Sequence, residues 1–427
     1  MLRNRTRECH IFVELVTTLL SDQAGFYLAR FLSAFGIYGH GVLLGLVLGI
    51  PWLIVASECL WITRRDVHYK QLGFTWTKVL AIVFGTGAAS GTLMEFGLFT
   101  VWPEFIRLGG LYLFYPFFLE VFAFLAEVTL IVLYWVSWDR LAGSWTHVAI
   151  GVGVALGSNI SGFLITSVNV FMQFPMLGAS MVNEQLQVDV IRAFLNEASA
   201  IVGAHAVLGG LVYAFGLVMA LYAYRLLRAV GNEQMNWAAF KLAGLAFAIP
   251  IPVIAFLGDQ QGKLLAKYTP ATLAALEGAY NTIPFGFPNL LAYGDWNTPI
   301  IGLIEYPADF HHPLLYIQWY SKIGLAVVMG LIALFIALKV IRGKMVSRTW
   351  LSLAIFAAFL AIVVNILGWY IKEVGRQPWV IYGLVKVNDI LSPTFAITPS
   401  VVAAVSGMLV LALLGISYTV YVIVFKE

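Results

Sequence analysis

The 427-residue chain has little charge and very little cysteine. Only 11% of its residues are charged, the net charge is +3, and the basic residues follow the loops. This distribution excludes a nucleic-acid-binding face. Its two cysteines, Cys9 and Cys59, are too few for a cysteine metal cage. The sequence also lacks an internal repeat, a low-complexity tract and a glycine-rich phosphate-binding loop. The sequence therefore indicates neither a P-loop nucleotide site nor a repeat architecture.

The chain is instead rich in hydrophobic residues. They make up 61% of the chain, and the mean hydropathy is +0.88. This composition predicts an all-α integral membrane protein in the lipid bilayer, because apolar runs of about 20 residues recur along the chain. We expect a bundle of about nine transmembrane helices. The predicted spans lie near 31–60, 79–101, 111–136, 147–171, 200–226, 238–257, 318–341, 350–371 and 398–424.

The basic residues of the loops predict a topology. They cluster in the first, fifth and seventh loops, which we expect to be cytoplasmic. The N-terminus and loop 258–317 then face outward, and the C-terminus is cytoplasmic. Three arginines near the N-terminus oppose this orientation. The basic residues are Arg64, Arg65, Lys70 and Lys78, then Arg225, Arg228 and Lys241, then Lys339, Arg342, Lys344 and Arg348, with Arg3, Arg5 and Arg7 as the opposing group.

The chain divides by this topology into four parts. Residues 1–29 form an N-terminal arm, in which His10–Leu20 is predicted to be a short interfacial helix. Residues 30–257 hold the first six transmembrane helices, 258–317 form the outward loop, and 318–427 hold the last three helices.

Five ionisable residues lie within the apolar runs: His40, Glu95, Glu120, Glu127 and His205. Such groups are costly in a membrane and mark functional sites. Each histidine has glycines beside it, which leaves room for a flat ligand, and an imidazole on a transmembrane helix is a common haem ligand. The alternative for each is a hydrogen bond between helices. Glu120 and Glu127 are seven residues apart and share one helix face. A proton path, an oxygen ligand to iron or a structural hydrogen bond fits that pair.

Several segments carry a family resemblance. In order along the chain they resemble subunit I of the cytochrome bd family of terminal oxidases, from about Arg30 to the last span. The resemblance implies a nine-helix bundle with its N-terminus outside. The segments are 85–96, Trp138-Asp139-Arg140-Leu141, Ala155-Leu156-Gly157-Ser158-Asn159-Ile160-Ser161, Met172-Gln173 with Pro175, Gly258-Asp259 and Gly375-Arg376-Gln377-Pro378-Trp379.

The resemblance implies roles for individual residues. His40 corresponds to the axial ligand of the high-spin haem pair, and His205 corresponds to a ligand of the low-spin haem. Glu120 and Glu127 resemble an acidic pair that contacts haem and conducts protons, and Glu95 joins these catalytic candidates. The remaining assignments are Arg376 and Lys322 near haem propionates and Asp259, Lys267 and Glu277 in a short quinol-binding loop.

The family also implies cofactors and partners. We expect haem b and haem d, up to three haems in all, in a prokaryotic cell membrane. A second homologous membrane subunit and small single-helix subunits are the expected protein partners. Electrons are expected to pass from quinol to dioxygen, which is reduced to water.

Three positions depart from the family pattern. Gly324 stands where a methionine completes the low-spin haem, and Ile366 where a glutamate ligates a high-spin haem. Thr272 replaces a lysine of the quinol loop. Fewer haems are therefore possible. The candidate replacements are Met329, Asn365, the pair His311-His312, and Lys267 in the loop.

These departures keep two other functions open. In one, the chain is a paralogous haem-binding relay or structural subunit that does not itself reduce oxygen. In the other, oxygen is reduced with electrons from cytochrome c or another membrane complex.

Overall fold

The computed structural model describes residues 22–182, 185–310, 314–390 and 399–426. Within these residues, nine helical segments are long and apolar enough to cross a membrane. This confirms the predicted all-α membrane fold and its nine spans. The segments are Gly36–Arg64, Val67–Met94, Tyr115–Val136, Trp145–Gln173, Val190–Arg228, Glu233–Tyr268, Leu315–Ile341, Arg348–Gly375 and Ala403–Lys426. The predicted interfacial helix at His10–Leu20 lies outside the described residues.

Long helices account for most of the described chain, and short ones lie between them. Their bounds are α1 Asp22–Arg64, α2 Val67–Val101, α3 Pro103–Val136, α4 Trp138–Leu141, α5 Trp145–Gln173, α6 Val190–Phe194, α7 Glu197–Arg228, α8 Glu233–Ala248, α9 Pro250–Tyr268, α10 Pro270–Glu277, α11 Phe287–Tyr293, α12 Leu315–Ile341, α13 Arg348–Gly375 and α14 Pro399–Tyr421. A π-helical turn, Val422–Lys426, follows α14.

Polar side chains mark where several helices begin. Ser144 accepts a hydrogen bond from the His147 amide at 3.2 Å at the start of α5. Asn196 caps α7 in the same way, at 3.0 Å from the Ser199 amide. Each cap satisfies a backbone donor that has no partner inside its own helix.

Two short antiparallel hairpins lie between the helices. Strands β1 (Ala179–Val182) and β2 (Gln185–Val188) pair with Ala179 opposite Val188. Strands β3 (Trp379–Ile381) and β4 (Val385–Lys386) follow α13, with Trp379 opposite Lys386.

Small residues bring α1 and α7 into close contact. A Cβ atom added at Gly49 would lie 2.4 Å from the Cβ of Ala214, and one added at Gly45 would lie 2.5 Å from Tyr213 Cδ1. Such contacts let helix backbones approach closely in a membrane. The helices that carry His40 and His205 are therefore packed directly against each other.

The predicted outward loop 258–317 begins inside a helix. Helix continues through Gly258 and Asp259 and ends at Tyr268, ten residues beyond residue 258. Polar residues continue the helix past the apolar run, and Lys263 donates to Asp259 at 2.7 Å across one turn. The segment of mostly short elements therefore begins after Tyr268.

Candidate functional site

His40 lies on α1 and is held by α2. Its Nδ1 lies 2.9 Å from the hydroxyl of Ser90, and that hydroxyl donates to the carbonyl of Gly87 at 2.8 Å. Since Ser90 has one hydroxyl proton, it accepts from His40 Nδ1. The proton is thus placed on Nδ1, and Nε2 keeps its lone pair. An imidazole oriented through its second nitrogen in this way is ready to bind a metal.

Gly91 provides the space that His40 needs. A Cβ atom added at Gly91 would lie 3.0 Å from His40 Cε1, which is tight for any larger residue. The glycine in this stretch of α2 therefore allows the imidazole to lie against the helix.

Glu120 and Glu127 both face α5 from α3. The Glu127 carboxylate accepts a hydrogen bond from Ser158 at 2.5 Å and is 3% exposed. The half-buried Glu120 accepts from Ser161 at 2.9 Å. The two serines belong to the segment Ala155–Ser161, so the structure joins this segment to the acidic pair. The predicted common face of the two acids is present.

His205 lies on α7 and faces α9. A Cβ atom added at Gly258 would lie 3.5 Å from His205 Cε1, so the glycine of Gly258-Asp259 packs against the imidazole. Among the described residues, the buried Nδ1 of His205 has no hydrogen-bond partner. An unpaired buried nitrogen of this kind is costly unless another group binds it.

Two lysines lie within electrostatic range of His205: Lys322 on α12 and Lys372 on α13. Lys322 packs over the ring of Trp319 at 5.5 Å, and Lys372 over the ring of Trp369 at 5.3 Å. Within the described part of the chain, neither ammonium group has a carboxylate within 4.0 Å. Glu373 lies within electrostatic range of Lys372, but half-buried cations without an ion-pair contact among the described residues fit an anionic ligand beside the histidine.

The positions that depart from the family pattern and their candidate replacements lie in different parts of the structure. A Cβ atom added at Gly324 would meet nothing within 4 Å, so this position adjoins open space. Met329 is 5% exposed and packs in the main apolar core. Ile366 is 43% exposed. A Cβ atom added at Gly209, one turn after His205, would lie 3.5 Å from Asn365 Nδ2. Asn365 is therefore the candidate that lies against the His205 helix.

Glu373 is a site residue that the sequence reasoning missed. Its carboxylate accepts from Asn169 on α5 at 2.6 Å and from Arg376 at 2.5 Å, and it lies within electrostatic range of Tyr38 on α1. Arg376 itself is 3% exposed. The available signal was an acid in the last turn of an apolar span, three residues before Arg376.

The quinol-loop candidates are separated in the structure. Glu277, at the end of α10, accepts a hydrogen bond from Tyr320 on α12 at 2.5 Å. Lys267 pairs with Glu197 at 3.1 Å, and both side chains are more than half exposed. Lys267 therefore does not pair with Glu277, and Asp259 is bound by Lys263.

Thr272 turns inward instead of standing beside Glu277. It is 5% exposed, and its hydroxyl donates to the carbonyl of Gly375 at 3.0 Å. Tyr382, in the connection between β3 and β4, also contacts Thr272, and burial raises the pKa of Tyr382 to about 12. Thr272 thus joins the loop to the segment Gly375–Trp379.

Two predicted sites cannot be placed from side-chain contacts. Glu95 lies in α2, but its side chain is outside the described part of the structure. His311 and His312 lie outside the described residues.

The arrangement fits haem at both histidines. His40 presents an unprotonated Nε2, and His205 has a buried nitrogen without a partner among the described residues. The cations near His205 match the charge of haem propionates.

Comparison with known proteins agrees with the resemblance found in the sequence. Residues 28–427 match the family model described as cytochrome bd terminal oxidase subunit I. A protein of Bacillus subtilis (strain 168), provisionally named cytochrome bd menaquinol oxidase subunit I, is 28% identical, over 87% of this chain and 90% of its own length. The cytochrome bd-II ubiquinol oxidase subunit 1 of Escherichia coli (strain K12) is 23% identical, over 93% and 94%.

A solved structure shares the fold. The bd oxidase from Geobacillus thermodenitrificans superposes with a TM-score of 0.84 at 25% sequence identity, over 94% of this chain and 97% of that one.

Proposed function

The chain belongs to the cytochrome bd terminal oxidase subunit I family, and on that premise we propose that it is the haem-bearing subunit of a quinol:oxygen oxidoreductase. The single observation that carries this proposal is the hydrogen-bonded His40–Ser90–Gly87 chain, which leaves Nε2 free to bind iron. Ser90 thus fixes the orientation and the tautomer of the imidazole, as a second hydrogen bond does for metal-binding histidines.

The residues that would hold haem are His40 at one site and His205 at the other, with Lys322 and Lys372 beside His205. Haem, when bound, supplies the electron transfer and the oxygen chemistry. The chain would orient the two imidazoles that hold the haems, and its lysines would neutralise anionic groups in a low-dielectric environment.

Protons are the second substrate that the chain must supply. Reduction of dioxygen to water consumes them, and Glu127 and Glu120 are acids on one face of α3 within the membrane. Their serine partners on α5 hold the carboxylates along the helix interface. We assign the pair the role of proton carriers.

Glu373 is our candidate for the carboxylate that Ile366 cannot supply. It is supported by its place on α13 and by its bonds to Asn169 and Arg376. The proposal therefore restores an oxygen ligand without using Asn365.

Relatives named as subunit 1 or subunit I belong to proteins with more than one subunit. We propose that this chain likewise pairs with a second membrane subunit in a prokaryotic cell membrane. The span Tyr115–Val136 has large exposed apolar side chains along it, which lipid or a partner helix would cover.

The identity of the electron donor can be tested at Glu277. Quinol loses two protons when it is oxidised, and the carboxylate bonded to Tyr320 can accept one. We expect the purified complex to consume oxygen with a quinol, and Glu277→Gln to slow that reaction by about tenfold. Oxygen uptake with several quinols measures it, with Glu305→Gln, an exposed acid elsewhere in this loop, as the control.

A cytochrome c donor is the second candidate function, because Thr272 is turned away from Glu277 and Glu277 has no ion pair among the described residues. Oxygen uptake with reduced cytochrome c alone, unchanged in Glu277→Gln, would replace the quinol proposal by this one. Haem content together with an absence of oxygen uptake from any donor would instead favour a relay subunit.

A further inference from the structure

An apolar groove opens on the surface of the bundle between α7, α13 and the end of α14. Its volume is about 420 Å³, within the range of ligand sites in proteins. The groove contains none of the residues assigned above to haem, protons or quinol. Its walls include Leu217, Leu221 and Tyr224 on α7, Ile355 and Phe359 on α13, and Phe425 after α14.

The groove runs along the helix axes. On α7 its lining extends from Leu217 to Tyr224, and on α13 from Ile355 to Ile362, which is a length of about 10 Å on each helix. The two helices are antiparallel, because Arg348 at the start of α13 donates to a carbonyl in the last turn of α7 at 3.1 Å. One end of the groove therefore lies near the last turn of α7 and the first turns of α13.

A buried arginine fixes the third wall of the groove. Arg225 on α7 is 0% exposed, and its Nη1 donates to the carbonyl of Ile423 at 2.5 Å. Carbonyl groups at the C-terminus of a helix have no helical partner and attract cations. The bond holds the π-helical turn Val422–Lys426 against α7, and Val424 and Phe425 of this turn line the groove.

Three cations border this end of the groove. Arg228 packs over the ring of Tyr224 at 5.8 Å, and that ring is part of the groove lining. Arg348 is held beside the last turn of α7 by its hydrogen bond to that helix. Lys426 directly follows Phe425. All three cations are exposed, so positive charge from three helices lies at one end of the groove.

These three cations have no ion pair in the part of the chain that the structure describes. There, no carboxylate lies within 4.0 Å of Arg228, Arg348 or Lys426. The acid at the start of α8, Glu233, accepts a hydrogen bond from Trp237 of its own helix at 3.3 Å. The cations lie on the side that the charge pattern predicts to be cytoplasmic. Basic pockets between transmembrane helices on that side are suited to anionic lipid head groups.

The groove and the cations together are complementary to one class of molecule. A soluble anion would pair with the cations but leave the groove unfilled. A quinone would fill the groove, but its neutral head group offers no charge to the cations. A zwitterionic phospholipid brings a positive group to a place that is already positive. An anionic phospholipid uses both parts, because its acyl chain is apolar and its phosphate accepts hydrogen bonds from arginine.

We propose that the groove between α7, α13 and α14 binds one anionic phospholipid. An acyl chain lies along the helices between Leu217 and Tyr224, and the phosphate lies at Arg228, Arg348 and Lys426. Because the site is formed only when the three helices are packed, the lipid stabilises the folded chain. This inference is independent of the proposed oxygen reduction.

Native mass spectrometry of the purified complex tests the site. The delipidated complex is titrated with phosphatidylglycerol, and separately with phosphatidylcholine that has the same acyl chains. We expect one phosphatidylglycerol to bind at least about tenfold more tightly than phosphatidylcholine. Arg228→Gln combined with Arg348→Gln should weaken phosphatidylglycerol binding by about 25-fold, or about fivefold for each cation. Phosphatidylcholine binding should not change in this double variant.

Two further variants separate the groove from general surface charge. Arg64→Gln combined with Arg65→Gln is the matched control, because it removes two exposed arginines from the turn between α1 and α2. Leu221→Trp fills the groove without a change of charge, and we expect it to weaken binding of both lipids. Thermal unfolding of the lipid-free complex shows whether each variant is folded. The arginine variants alone decide the result if Leu221→Trp does not fold.

Several results would overturn the proposal. One is equal affinity for the two lipids, and another is an equal loss of phosphatidylglycerol in the two arginine double variants. Phosphatidylglycerol binding that Leu221→Trp leaves unchanged would show that the lipid binds outside the groove. A wild-type complex that binds no lipid, together with loss of a second subunit in Leu221→Trp, would assign the groove to a protein helix instead.

Discussion

The two histidine sites are built in opposite ways. His40 is oriented by its own chain, through the hydroxyl of Ser90 and the space left by Gly91. His205 has a buried Nδ1 without a partner among the described residues and two lysines within range. The first site is preorganised to bind a metal ion. The second has a buried nitrogen and two cations that an anionic ligand able to bind the histidine would complete.

Because of this difference, we expect the two sites to respond differently when single side chains are removed. At a preorganised site the imidazole itself binds the metal, so its removal should have a large effect. Removal of its hydrogen-bond partner should have a small effect. At a site with unpaired cations, loss of one cation weakens retention of an anionic ligand without removing the site.

Replacing His40 with alanine should have the largest effect. The variant loses the ligand with the free Nε2, and we expect at least a 100-fold loss of oxygen uptake, or about 3 kcal/mol. The high-spin haem signal should disappear while the low-spin signal remains. Visible and paramagnetic resonance spectra of the purified complex measure both.

His68→Ala is the control for His40, since His68 pairs with Asp66 between α1 and α2. A His40→Ala complex that keeps its oxygen uptake would remove the functional contrast between the two histidines.

Glu127→Gln should have the next largest effect. The buried carboxylate bonded to Ser158 becomes an amide that cannot carry a proton, and we expect turnover to fall by about 10-fold to 100-fold. Glu120→Gln should act in the same direction. Both haem signals should persist, because neither variant touches a histidine.

Oxygen uptake measured across pH, together with haem content, checks the acid variants. Wild-type rates in both single variants at every pH would make Glu120 and Glu127 structural hydrogen-bond acceptors for the α5 serines.

The spans and the family were predictable from the sequence because each depends on local information. Runs of apolar residues determine the nine membrane-spanning helical segments of the described residues, and short segments such as Gly375–Trp379 carry the resemblance to the family. The end of α9 at Tyr268 was not predictable from hydropathy, because that helix continues through polar residues paired along its own turns.

The contacts between helices were also beyond the sequence. Seven residues apart on α3, Glu120 and Glu127 could be placed on one face, but their serine partners on α5 could not be assigned. Glu373 was overlooked because its role depends on Asn169, 204 positions away. The apolar groove between α7, α13 and α14 has the same origin, since its walls lie on helices that are far apart in the chain.

Lys322→Gln tests the other side of the comparison. Removal of one cation near His205 should lower retention of low-spin haem severalfold, because the remaining Lys372 compensates only in part. The high-spin signal at His40 should not change. Haem content per chain after purification, with Lys339→Gln farther along α12 as control, gives the result. Equal loss of both haem signals would show that the cations stabilise the fold rather than one ligand.

Ser90→Ala should have the smallest effect and tests the tautomer of His40. Without the hydroxyl that accepts from Nδ1, the imidazole keeps its position beside Gly91 but loses the bond that places its proton. We expect a loss of oxygen uptake of about twofold to fivefold and a shift of the high-spin haem spectrum, since such supporting hydrogen bonds tune a metal ligand. Thr86→Ala is the matched control, because its hydroxyl also bonds to carbonyls of α2 but does not contact His40. An identical spectrum in Ser90→Ala and Thr86→Ala would mean that His40 is positioned by packing alone, and the contrast between the two histidine sites would then rest only on the cations near His205.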